Sequence, residues 1–167
     1  MVKQQKNIPL ISAVLICIIS LAIMIFALVK SSKTTQQLSF TPPPFEVNAV
    51  YGIPDVPEGL GWGEVDTQVY KASVCGVIIL DENTADVWFT NPENNSVWLK
   101  LRVLDSKGSI LGETGLIKPG EFVQTITFIE KPKIGDTIGL KLMAYEPETY
   151  HSIGSATLTT TVTGESK

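Results

Sequence analysis

The sequence predicts an all-β domain of about seven strands behind one N-terminal transmembrane helix. Three observations predict it. The run from Ile8 to Val29 is apolar and carries no charged side chain. A Ser/Thr/Gln/Pro segment follows it. From Lys71 onward, short runs rich in alternating and β-branched residues are separated by turn signals, and no stretch after residue 33 has the pattern of a useful helix. Seven strands in roughly a hundred residues point to an immunoglobulin-like antiparallel β-sandwich.

Residues 1–7 form a short basic tail with Lys3 and Lys6. As a helix, residues 8–29 would rise about 33 Å, enough for a hydrocarbon core of roughly 30 Å. Pro9 falls in the first turn, where its missing N–H costs little. Lys30 and Lys33 close the other end. A cleaved signal peptide is the competing reading. Its apolar region is usually about 7–15 residues and ends at a small-x-small site, and no such pattern precedes Lys30. Cys17 follows Ile16 rather than the small residue of a lipoprotein signal. The bilayer is therefore the expected partner of residues 8–29.

All 17 Asp and Glu lie after residue 33, with nine of the 13 Lys and Arg, so that part carries a formal charge of −8. Two Lys flank each end of the apolar run, and the positive-inside rule does not decide between them. A short basic N-terminus stays inside easily and long domains translocate largely regardless of charge, so the expected orientation is N-terminus cytoplasmic, domain extracytoplasmic. The acidic domain is a poor match for nucleic acid.

Residues 30–46 read as a stalk, stiffened by Pro42 to Pro44. The domain follows over 47–163, with 164–167 as a tail. Its first part, 47–69, is broken by prolines and glycines but carries Val47, Val50, Tyr51, Ile53, Leu60 and Trp62. It reads as an ordered strap laid across the domain. The GLGWG stretch lacks the strand, helix and Lys-Ser/Thr pair of a phosphate loop.

The seven strands fall at Ala72–Leu80, Asp86–Asn91, Val97–Leu104, Ile110–Ile117, Phe122–Ile129, Ile138–Glu146 and Ala156–Val162. In the KPGE turn, Pro119 suits position i+1 and Gly120 position i+2 of a type II turn. A hairpin pairing Asn91 with Val97, Phe89 with Leu99 and Val87 with Leu101 would give one apolar face. Its other face would set Trp88 against Lys100 and Asp86 against Arg102. On this register Trp88, Trp98, Lys100 and Arg102 form a candidate partner-binding face, with the two cations solvated. The competing account is that the strap, bringing Tyr51 and Trp62, covers the tryptophans. The core is expected from Phe89, Leu99, Leu101, Phe122, Ile126, Leu140 and Leu142.

Catalytic constellations are not visible. His151 is the one His, in a loop, where a solvated polar residue is the plain reading. Cys75 is the one Cys outside the apolar run and sits in SVCGVII, as a buried inert thiol would. The DENTAD segment, with Asp81, Glu82, Asn83 and Asp86, reads as an acidic hairpin turn rather than a calcium loop. No catalytic, cofactor-binding or metal-ligating residue is assigned, and no cofactor is expected.

The stretches VCGVI, FTNPENN, VWLKLRVLDSKGSILGETGLIKPGE and MAYEPETYHS resemble small single-pass proteins of Gram-positive gut bacteria, loosely associated with conjugative elements. The resemblance covers roughly residues 50–163. It implies a cell-surface origin and a β-sandwich, and brings no catalytic residues. Three readings of function stay open. The first is a membrane-anchored extracytoplasmic binding or assembly module, non-enzymatic, with a protein partner at the cell surface. The second is an extracytoplasmic hydrolase using carboxylates such as Asp81, Asp86 and Glu113. The third is an anchored subunit facing inward.

Overall fold

The computed structural model describes residues 8–31 and 40–164, with the side chains of the helix described over 13–27. The expected tail 1–7, residues 32–39 of the expected stalk and residues 165–167 lie outside the described residues. The chain divides into two units, Met1–Thr41 and Pro42–Lys167.

In the first unit, helix α1 runs over Ile8–Ser31, 24 residues, a little past the expected end at Val29. Every described side chain on it is exposed, Ile16, Leu21 and Phe26 among them. Ser20 donates its hydroxyl to the Cys17 carbonyl at 3.0 Å, which satisfies that polar group within the helix itself. Among the described residues no helix is long and apolar enough to cross a membrane. The described side chains of α1 form a stretch shorter than the about 20 residues a crossing takes.

The second unit is all β. Its strands are β1 (Val50–Tyr51), β2 (Trp62–Asp66), β3 (Lys71–Cys75), β4 (Ile78–Asp81), β5 (Thr84–Thr90), β6 (Trp98–Leu104), β7 (Ile110–Glu113), β8 (Glu121–Thr127), β9 (Thr137–Tyr145) and β10 (Ser152–Gly164). One sheet runs β1-β8-β5, with β4 on one end of β5, β3 on the other, and β2 beyond β3. The second runs β10-β9-β6-β7. Strand β10 belongs to both: Ser152 to Thr161 pair antiparallel with β9, then Val162 to Gly164 pair parallel with Ile78 to Leu80 of β4.

The core lies between the sheets, because each strand turns one face inward at period two. Val87 and Phe89 of β5, Leu99, Leu101 and Val103 of β6, and Leu140, Leu142 and Ala144 of β9 form it with Ile126 of β8. Of the expected core residues, only Phe122 goes elsewhere. It lies on the outer side of the first sheet, stacked on Trp88 at 5.9 Å.

The expected hairpin between β5 and β6 is not formed. Strand β5 pairs with β3, β4 and β8, and β6 with β7 and β9. The NPENN loop carries the chain from one sheet to the other. Asn91, fully buried, makes that crossing possible by donating to the carbonyls of Val97 at 2.9 Å and Ile117 at 3.1 Å. Asn95 donates to the Asn91 side-chain oxygen and to the Lys71 carbonyl, both at 2.6 Å. Phe89, Val87, Leu99 and Leu101 thus face one another across the core rather than along a ladder.

The expected strand Ala72–Leu80 is two strands. At the break, the amides of Gly76 and Val77 turn to the carbonyls of Gly61 and Leu60. The expected strap is therefore part of the sheet, contributing β1 and β2. The DENTAD and KPGE turns form as read: Asp81 pairs with Thr84 across the hairpin, and Gly120 takes φ 82° before the Glu121 amide bonds the Lys118 carbonyl.

This arrangement makes Asn91 a structural post rather than a turn residue. Leu101→Ala should cost about 2–5 kcal/mol through the cavity it leaves. Asn91→Ala should cost about 2 kcal/mol or more, since it strands buried carbonyls. Denaturant unfolding of both variants checks this. A cost below about 0.5 kcal/mol for Asn91→Ala, typical of a surface position, would contradict the crossing.

Candidate functional site

The four residues of the candidate face fall on two sheets. Trp88 is on the outer side of the first sheet, and Trp98, Lys100 and Arg102 are on the outer side of the second. Neither cross-strand contact expected between β5 and β6 is made. Lys100 and Arg102 both bond Glu113 of β7, at 2.8 and 2.7 Å, and Asp86 accepts instead from Gln124.

Trp88 is covered in part by Val56 and Leu60 of residues 47–69, whereas Trp98 is flanked by residues outside that segment. Trp88 is 9% exposed and packs with Leu60, Cys75, Val56, Ile79 and Phe122. It sits at a bulge with φ 42°, in the left-handed region that a bulky residue seldom adopts. Its carbonyl accepts from the Trp62 indole at 2.9 Å and from the Thr90 hydroxyl at 3.0 Å. Its own indole nitrogen is buried with no hydrogen-bond partner among the described residues.

Cys75, in the same cluster, has its thiol pushed up to about 11, first by burial and then by the charge of Asp86. It is protonated at neutral pH. His151 is exposed in the β9–β10 loop. Among the described residues no three His, Cys, Asp or Glu side chains converge as a metal site would require.

Trp98 is half-buried between Phe45, edge-on at 4.8 Å, and Tyr150 at 5.0 Å. The Lys118 ammonium lies 4.8 Å over the Phe45 ring. Phe45 reaches this place because Pro44 and Glu46 bond Leu116 through their backbones, and the Glu46 carboxylate accepts from the Gly115 amide. The end of the expected stalk is thus stitched to the domain. A side chain on Gly115 would collide with the Glu46 backbone at 2.4 Å.

Lys100, expected to be solvated, is only 5% exposed. It lies opposite Met143, while Arg102 lies opposite both Lys141 and Glu113. Burial pushes the Glu113 carboxyl up. The hydrogen bonds and charges of Lys100 and Arg102 outweigh it, and the group is held below its ordinary 4.5. An acid so occupied is a poor proton donor at neutral pH, which weighs against Glu113 as a general acid.

The strap also builds a cleft that sequence reasoning missed. It has a volume of about 360 Å³ and crosses the outer side of the first sheet. Its floor is Ser73 and Thr90, and Tyr51, Ile53, Trp62, Glu64 and Glu93 stand around it. Tyr51 donates its hydroxyl to Glu93 at 2.9 Å, and that bond, with the Glu93 charge, raises the phenol above its ordinary value. The Tyr51 ring lies against Gly120, where a Cβ would come within 2.4 Å of it. Lys71, beyond the lining, pairs with Glu64 at 2.9 Å and Asp66 at 3.1 Å. The available signal was the alternation Trp62, Glu64, Asp66, which puts all three on one strand face, with Lys71 opposite Asp66.

The Glu113 cluster predicts an acid response. A carboxyl held below its unfolded value stabilises the fold fully above about pH 4.5 and loses that contribution as pH falls through the lower folded value. Glu113→Gln should lower stability at pH 7 and flatten the decline in melting temperature from pH 5 to 3, measured by thermal unfolding. Parallel curves would contradict the ion-pair account. Lys100→Ala should cost about 1–3 kcal/mol, where a solvated lysine would cost almost nothing.

No protein-family model matches the chain. No curated protein matches it. Among solved structures it is similar to CopC from Methylosinus trichosporium OB3b, at 18% identity and a TM-score of 0.37, covering 64% of this chain and 97% of that one. It is also similar to a β-glucuronidase from Ruminococcus gnavus solved with uronic isofagomine, at 14% identity and a TM-score of 0.36. That match covers 55% of this chain and 15% of the enzyme. Neither likeness bears on what this chain binds.

Proposed function

We propose that the chain is a non-enzymatic binding or assembly module, anchored in a membrane by residues 8–29 and held on the extracytoplasmic side. The observation that carries the reading is α1, whose described side chains are apolar except Ser20 and exposed all round. A helix that is hydrophobic on every side needs a cover on every side, and a bilayer supplies that without a matching surface. Long domains translocate largely regardless of charge, which supports placing the domain outside. The pairing order, with the end of β10 parallel to β4, supports an immunoglobulin-like sandwich. The resemblance to single-pass proteins of Gram-positive bacteria supports a place as an accessory of a cell-surface or conjugation complex. The cleft and the Phe45–Trp98–Tyr150 cluster offer surfaces for a partner.

Expression of the full chain in a bacterial host tests the reading. After alkaline carbonate washing the chain should stay with the membrane pellet, and protease added to intact cells should remove the domain. Release into the wash would overturn the anchor. Cleavage only after lysis would place the domain inside and overturn the extracytoplasmic reading.

A further inference from the structure

We propose that the cleft between Tyr51 and Trp62 accepts a cationic side chain, an arginine carried by a protein partner. This rests on the binding-module reading and names the chemistry of its ligand.

Four observations converge. First, both aromatic walls are fixed before any ligand arrives. The Trp62 indole is held by the Trp88 carbonyl at 2.9 Å, and Tyr51 by Glu93 at 2.9 Å and by its seat on Gly120. Rings immobilised in the free protein spare a ligand the cost of ordering them. Second, the rings are accessible: Tyr51 is 68% exposed and Trp62 39%. Third, Glu64 and Glu93 are the charged residues of the lining, and no Lys, Arg or His contributes to it. Each carboxylate spends one oxygen, Glu93 on the Tyr51 hydroxyl and Glu64 on Lys71. The second oxygen of each has no partner among the described residues. Fourth, the neighbouring acids Glu64 and Asp66 already hold a cation, the domain's own Lys71.

Aromatic faces attract cations through their quadrupole. A guanidinium stacks flat on a ring while its N–H fork meets a carboxylate, which a compact ammonium does less well. An anion would be repelled by both glutamates. A neutral sugar would use the rings but leave the carboxylate charge unmatched. The Ser73 and Thr90 hydroxyls at the floor suit the polar edge of a guanidinium.

The test uses the full chain in detergent micelles, followed by the three indole N–H resonances of its three tryptophans. The probe is N-acetylargininamide. Its neutral isostere N-acetylcitrullinamide and a neutral disaccharide are the other arms. The arginine probe should shift the Trp62 indole saturably, with half-saturation on the order of 1 mM, and leave the Trp98 indole unmoved. Citrulline and the disaccharide should not shift it. Glu93→Gln and Glu64→Gln should each weaken binding about fivefold or more, with melting curves showing that the variants fold. If Glu93→Gln fails to fold, Glu64→Gln decides. Equal binding of citrulline, a response to the disaccharide instead, or no saturable shift into tens of millimolar would each overturn the proposal. A chain that resists carbonate washing but ignores arginine loses this proposal alone and keeps its anchor.

Discussion

Strand β10 holds the domain together by belonging to two sheets. For Ser152 to Thr161 it is an antiparallel neighbour of β9, and for Val162 to Gly164 a parallel neighbour of β4. The hydroxyls of Thr160 and Thr163 reinforce the crossing by donating to the carbonyls of Gly76 and Ile78. A strand that changes sheets forces the sheets to face each other, and the inward faces of β5, β6 and β9 then have one place to go. Phe89, Leu99, Leu101 and Leu142 are buried completely as a result. Tyr70 ties the same two layers by a bond from its hydroxyl to the Leu142 carbonyl at 3.0 Å.

The same constraint separates two outer surfaces with different electrostatics. On the second sheet one carboxylate is spent internally: Glu113 is shared between Lys100 and Arg102, and Lys100 is buried in the process. Such a cluster rigidifies the sheet while offering little to a partner. On the first sheet, the strap seals Trp88 under Leu60 and leaves a cleft whose two carboxylates each engage one oxygen among the described residues. Trp88 is where strain collects, with a left-handed backbone and a buried indole N–H that has no partner among the described residues. Its carbonyl nevertheless fixes Trp62, so the strained residue orients an aromatic wall of the cleft.

Period-two alternation made the inward faces legible. It placed Phe89, Leu99, Leu101, Ile126, Leu140 and Leu142 inside, and the turn residues of DENTAD and KPGE marked real reversals. Alternation says which side of a strand is apolar, not which strand lies beside it. The five-residue loop between Asn91 and Val97 fits a hairpin and a sheet-to-sheet crossing equally well, and only the buried bonds of Asn91 distinguish them. That one choice moved Trp88 away from Trp98. The burial of Lys100 was not legible because its acid, Glu113, comes from β7, whose pairing with β6 the hairpin register had not considered. The cleft was not legible because residues 47–69 read as a strap, while β1 and β2 within it are short and separated by a stretch of glycine and proline.

The central claim is that β10 bridges the sheets and that β5 and β6 oppose each other instead of pairing. Backbone nuclear Overhauser effects on the full chain test it most directly. The account predicts cross-strand backbone contacts joining Ile78–Leu80 to Val162–Gly164, and Leu101 to Leu142. Backbone contacts joining Phe89 to Leu99 and Val87 to Leu101 as ladder neighbours would contradict it.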